Sequence, residues 1–201
     1  MERHPFASHS LEALFSFVLE TDRLKSVYRQ TWISDRTRRE NAAEHSWHLA
    51  LMAILFEKEA NADVDLLRVL KMLLVHDIVE IDAGDTFAYD AKGHEDKEDR
   101  EKAAADRLFG MLPDSLAREM HELWREFEER WTPEARFACA LDRFHPMLLN
   151  FASEGKAWKE HGVKKHQVIA RNAVIGEGSD KLWDAARHLV DEAVRRGYLS
   201  E

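Results

Sequence analysis

His76, Asp77 and Glu80 interrupt a run that is apolar at nearly every position from Leu66 onward. At about 100° per residue, a helix projects these three into one arc roughly 100° wide, so they can converge on one point. A helix this apolar is buried on most sides, and ionised carboxylates are costly to bury unless they are paired, hydrogen-bonded or bound to metal. A divalent cation is the simplest compensating partner. A lone histidine on an apolar helix is more often a hydrogen-bonded core residue than a ligand, so the rest of the chain must supply further ligands.

Two other segments do so. His45 and His48 fall on the first turns of a second core helix, Glu44 to Asn61, three residues apart on one face, which suits one ligand and one supporting or packing residue. Asp142 lies inside a largely buried helix from Pro133 to about Phe151. Pro146 removes the bond to the carbonyl of Asp142, so a kink or break is expected at the ligand, with His145 capping the broken turn. His45, His76, Asp77 and Asp142 thus come from three helices, each with its own reason to be in the core. Two imidazoles and two carboxylates leave open positions on one divalent transition metal, which suits manganese, cobalt, iron or nickel better than closed structural zinc.

The elements that must position these groups read as helices throughout. Glycine and proline are scarce, strand-like alternation is absent, and the expected class is all-α, a compact helical bundle. The first helix runs from Ser10 to near Thr21, and later ones cover Ser115 to Glu129, Lys164 to Ile175 and Ser179 to Arg196. In the second core helix Trp47, Leu49, Leu51, Met52, Ile54, Leu55 and Phe56 are expected to pack on more than one side. Arg29, Arg36, Arg38 and Arg39 crowd a polar region, read as a short helix and loop, that suits an anion. The polar loop from Thr86 to His94, with Phe87 and Tyr89, could cover a site. Gly176-Glu177-Gly178 follows no strand and supports no phosphate loop.

Bulk properties set the bounds. With 201 residues and 45% hydrophobic content, one domain is expected over 1–201, with the C-terminal helices of about 163–197 packing on a motif-bearing core of about 24–151. A net charge of −9 argues against a nucleic-acid polymer but leaves a small phosphate ester open, since one or two local arginines suffice. The single cysteine, Cys139, sits among apolar neighbours as packing in a reducing compartment. The apolar stretch from Leu11 to Leu19 is short and interrupted by Glu12, so neither a signal peptide nor a membrane span is expected, and the location is expected to be cytoplasmic.

His45, then His76-Asp77, then Asp142 resembles the H…HD…D signature of HD-domain metal-dependent phosphohydrolases. Arg29, Trp32, Glu40-Asn41-x-x-Glu44-His45-Ser46, His76-Asp77-x-x-Glu80-x-x-x-Gly84-Asp85 and Leu141-Asp142 resemble the 5'-deoxynucleotidase branch of small HD proteins. The resemblance implies an all-helical HD bundle, a homodimer, and removal of phosphate from deoxyribonucleoside 5'-monophosphates with a metal such as cobalt or manganese. It implies His45, His76, Asp77 and Asp142 as ligands, Glu80 and Asp85 as the acid-base pair, Arg29 as the phosphate clamp and Trp32 near the sugar or base. The segment from Thr86 to His94 departs from the family's proline-containing stretch after Gly-Asp.

The same scaffold admits a phosphodiesterase or nucleotide polyphosphate hydrolase, for which His94 and His121 are the available extra histidines, or a non-catalytic metal- or nucleotide-binding adaptor. A ferritin-like di-iron bundle is set aside, because the chain has no paired Glu-x-x-His motifs.

Overall fold

The computed structural model describes residues 9–90, 93 and 95–201. Its centre is α7 (Pro133–Ala152), whose first turn is set by Thr132, the side chain accepting from the Ala135 amide, and by Pro133 at the first helical position. Around it pack α2 (Ala42–Phe56), α3 (Leu66–Val75), α6 (Asp114–Glu129) and, from the C-terminal part, α10 (Ile175–Gly178) and α11 (Asp180–Arg195). The remaining helices are α1 (His9–Thr21), α4 (Glu80–Ala83), α5 (Lys97–Phe109), α8 (Lys156–Glu160) and α9 (Lys165–Asn172). Gly178 lets α10 lie against the start of α7, since a Cβ there would stand 2.2 Å from the Arg136 carbonyl oxygen. The Gly176-Glu177-Gly178 fragment is therefore a packing device.

Four details of the secondary structure depart from the sequence reading. The polar region before α2 is an antiparallel ribbon, β1 (Tyr28–Trp32) with β2 (Arg39–Asn41), Tyr28 opposite Asn41 and Trp32 opposite Arg39. Its strands are short and their register shifts, so no period of two could show. Helix α2 starts earlier than expected because Asn41 and Glu44 form a capping box: the Asn41 side chain accepts from the Glu44 amide at 2.9 Å and the Glu44 carboxylate from the Asn41 amide at 3.3 Å. The apolar run from Leu66 stops where Ala83-Gly84-Asp85 predicts a break, but it is not one continuous α-helix up to that point. It tightens to 3-10 geometry over His76–Val79 and ends in α4, stopped by Gly84 at φ 74°.

The fourth is α7, which runs unbroken through Pro146 to Ala152, and so shows no break at Asp142. Neighbouring helices enclose it, and such packing can hold a helix that has lost one backbone bond. His145, expected to cap a broken turn, instead points into the core.

The apolar side chains of α2 do not all pack. Leu49, Met52 and Ala53 face inward, but Trp47 is 63% exposed and Leu55 67%, with Leu51 and Ile54 on the same face. Helix α1 leaves Leu11, Phe15, Val18 and Leu19 similarly uncovered.

One buried carboxylate ties three helices together. Glu126 of α6 accepts from the Arg68 guanidinium of α3 and, at 2.6 Å, from the hydroxyl of Thr132 at the start of α7. Burial would raise its pKa, but these bonds outweigh burial and lower it. A lowered folded pKa gives stability that is full above the unfolded value and lost as pH falls through the folded one. Because Arg68 stays half-exposed, solvent screens the pair, and Glu126→Gln should cost about 1–2 kcal/mol in urea unfolding at pH 7. That difference should shrink as pH falls below the ordinary glutamate pKa of about 4.3; a gap independent of pH would contradict the assignment.

Candidate metal centre

Three segments converge beneath one cavity. The start of α2 carries His45, the 3-10 turn after α3 carries His76 and Asp77, and the middle of α7 carries Asp142. One ligand-type atom each from His45, His76 and Asp142 lies within 4.8 Å of the other two, and all three residues are buried. His45 Nε2 stands 3.0 Å from Asp142 Oδ1, and His76 Nε2 stands 3.8 Å from the same oxygen. Asp77 Oδ1 is 3.0 Å from His76 Nε2, which brings all four residues singled out from sequence to one place.

The chemistry of these atoms fits a divalent cation. His76 Nδ1 donates to the Leu73 carbonyl at 2.9 Å, leaving Nε2 as a lone pair. That Nε2 is buried and has no hydrogen-bond partner, since Asp77 lies near it at an unsuitable angle. A buried acceptor facing carboxylates and a second imidazole is a poor arrangement by itself and a good one around a cation. Burial works to raise the Asp142 pKa, but the neighbouring imidazoles of His45 and His76 outweigh it and hold the carboxyl well below the usual range.

His45 is braced from behind. Its Nδ1 lies 3.1 Å from His145 Nδ1 and 3.5 Å from Glu40 Oε2, and His145 Nε2 lies 3.1 Å from His48 Nδ1. If His45 Nε2 binds a metal, Nδ1 carries the proton and donates toward this brace. Burial, then the flanking His45 and His48, push the His145 pKa to about 2, so His145 is neutral and able to accept. Glu40, His45 and His145 form a second group with metal-ligand spacing, but it shares His45 and stands behind it. Sequence reasoning missed Glu40 and the inward course of His145; the motif Glu40-Asn41-x-x-Glu44-His45 held the signal for the first.

In front of the ligands, Arg29 of β1 faces four carboxylates. It donates to Asp77 at 2.7 Å and lies 3.9 Å from Glu80 and 4.0 Å from both Asp85 and Asp142. Burial opposes its charge, yet those carboxylates raise its pKa further. Burial, then Asp77, raises the Glu80 pKa well above the usual carboxylate range. Asp85 is also raised, by burial foremost and by Asp77, against the pull of Arg29. These groups line a cavity of about 430 Å³ with Phe87 and Tyr89 on another wall, so the loop after Gly84 does border the site.

Trp32 is the expected site residue that the structure does not bring to this cavity. Its Nε1 donates to Glu160 at 2.9 Å, and Lys156 Nζ lies 3.2 Å from its ring centroid. Its ring is held against the charged surface of α8 by cation–π and hydrogen-bond contacts. His121 lies against Phe109 and Asp106, outside the cavity lining, and His94 lies outside the described residues.

A family model described as HD domain matches residues 21–183. The 5'-deoxynucleotidase HDDC2 of Xenopus laevis is 35% identical over 139 residues, 68% of this chain and 67% of that protein. Its counterpart in Homo sapiens is 32% identical over 145 residues, covering 71% and 69%. The crystal structure of a "predicted metal-dependent phosphohydrolase" from Magnetospirillum magnetotacticum MS-1 is 54% identical, with a TM-score of 0.93 over 98% of this chain and 99% of that one.

Metal analysis checks the ligand geometry directly. His76→Ala and Asp142→Ala, purified by the same route as the parent, should lose most of the bound divalent metal by plasma mass spectrometry. Trp32→Ala should retain it. Full metal content in Asp142→Ala would remove that residue from the centre.

Proposed function

The chain belongs to the HD domain family, and from that premise we propose that it is a metal-dependent 5'-nucleotidase taking phosphate from deoxyribonucleoside 5'-monophosphates. It is a phosphohydrolase, and its relatives include proteins named 5'-deoxynucleotidase. The observation that carries the reading is the buried, unpaired Nε2 of His76 facing His45 and Asp142 under a cavity lined by Arg29, Glu80 and Asp85.

In this reading His45, His76, Asp77 and Asp142 hold one divalent ion, with manganese, cobalt, iron or nickel suiting the mixed imidazole and carboxylate set. When bound, the ion supplies a Lewis acid for a phosphoryl oxygen and lowers the pKa of a water from about 15.7 toward neutrality. With Asp77 and Asp142 engaged by an ion, Arg29 would be free to hold the equatorial phosphoryl oxygens, where charge must be neutralised during in-line transfer. Glu80, whose pKa burial foremost raises, is suited to protonating the leaving sugar oxygen, while Asp85 is suited to orienting the attacking water. Phe87 and Tyr89 offer the base an aromatic wall.

The exposed face of α2 supports a homodimer. Trp47, Leu51, Ile54 and Leu55 recur at helical spacing and remain uncovered, a continuous stripe of the kind a second copy would bury. Leu55→Glu should convert a dimer to a monomer in sedimentation velocity; an unchanged mass would move the interface elsewhere.

The activity is tested with the purified protein, manganese or cobalt, and a panel of deoxy- and ribonucleoside monophosphates. Phosphate release is expected from the deoxyribonucleoside 5'-monophosphates. Glu80→Ala should keep metal and lose about 100-fold or more in kcat, whereas Asp77→Ala should lose metal and activity together. A metal-free yet active Asp77→Ala would refute the proposed centre.

A further inference from the structure

The cavity has a second charged wall that the metal-centred chemistry leaves unused. Arg143, one residue past Asp142 on α7, and Arg171, on α9, both line it. Their situation is the reverse of that of Arg29. Arg29 has four carboxylates within 4.0 Å. Among the described residues Arg143 has one carboxylate in salt-bridge reach, Asp142 at 3.8 Å, and that group already faces His45 and His76. Arg171 makes no ion pair among the described residues, and its Nε is buried without a hydrogen-bond partner. Burial, then the adjacent guanidinium of Arg143, lowers the Arg171 pKa, as expected for two cations held near each other with little counter-charge.

A guanidinium fork pairs with planar carboxylates and with phosphate oxygens, and a buried fork without a partner is costly. Arg171 keeps such a buried, unpartnered Nε, Arg143 is partly exposed, and both line the cavity that Asp77 and Asp142 also line. Asp142 separates them from the phosphate clamp: Arg29 approaches its Oδ1 and Arg143 its Oδ2. A phosphoryl group seated at Arg29, with its nucleoside toward Phe87 and Tyr89, leaves free the side of Asp142 that Arg143 faces.

We propose that Arg143 and Arg171 form a subsite for a second anionic group of the substrate, a phosphate or a carboxylate distinct from the phosphoryl group being transferred. The inference rests on the hydrolase reading of the same cavity and widens its substrate class, from deoxyribonucleoside 5'-monophosphates to phosphate monoesters that carry another anion.

Two matched pairs of probes test it. 2'-Deoxyadenosine 3',5'-bisphosphate is compared with 2'-deoxyadenosine 5'-monophosphate, and 3-phosphoglycerate with glycerol 3-phosphate. Binding is read by calorimetry on the manganese-loaded Glu80→Ala variant, where turnover is suppressed, and KM is read with manganese on the parent protein. At least one doubly anionic probe should bind about 10-fold more tightly than its counterpart, and the pair that responds tells phosphate from carboxylate. Arg171→Gln should collapse that ratio toward one. A ratio near one for both pairs in the parent protein, or a ratio that survives Arg171→Gln, overturns the subsite. Should Arg171→Gln fail to fold, Arg143→Gln is read in the same way, and the parent ratio remains decisive. If none of the four probes releases phosphate while the binding ratio holds, the hydrolase reading falls and the subsite stands.

Discussion

Burying four carboxylates within reach of one arginine is the constraint on which the structure depends. Asp77, Glu80, Asp85 and Asp142 all approach Arg29 to 4.0 Å or less, and their mutual repulsion in a poorly hydrated interior is large. One guanidinium offsets part of it. The raised pKa values of Glu80 and Asp85 relieve more by favouring their protonated forms, and a divalent ion among His45, His76, Asp77 and Asp142 would relieve the rest. The cluster thus joins two requirements, since the arrangement that strains the isolated chain is the one that holds a cation and a phosphoryl group together.

The local folding rules serve that convergence. The Asn41–Glu44 capping box fixes where α2 starts and therefore which way His45 faces. The change from α to 3-10 geometry at His76 alters the turn per residue where two adjacent side chains must both reach the centre. On α7 the enclosing helices keep the rod intact through Pro146, so Asp142 is presented from a fixed support. The buried chain from His45 through His145 to His48 orients the His45 imidazole through side chains.

How much of this could be read in the sequence follows from the physics of each feature. A histidine or aspartate in an apolar run is conspicuous, because burial makes it costly, and so His45, His76, Asp77 and Asp142 stood out from three distant segments. The all-helical class was legible from scarce glycine and proline and from the three- and four-residue repeats. The ribbon of β1 and β2 was not, because its strands are short, polar and out of register. Trp32 looked like a base contact by resemblance alone, whereas its ring packs under Lys156, a tertiary pairing between residues 124 positions apart that no local pattern could signal. The exposed stripe of α2 misled in the other direction, since an apolar face that lacks a partner within the chain carries the same sequence pattern as a core face.

Arg143 and Arg171 escaped the sequence for a related reason. A basic residue beside an acidic one reads as a solvated pair, and nothing local reveals that Asp142 is already engaged by two imidazoles. Only the folded chain separates the cations into two populations, one neutralised among the acids and one left with little counter-charge. The cavity therefore has a direction: an acidic end that attracts a metal and a basic end that attracts an anion, with Asp142 at the boundary between them. A ligand with its charge at one end only would satisfy half of that field, so the polarity of the cavity itself discriminates among molecules that share the same reactive group.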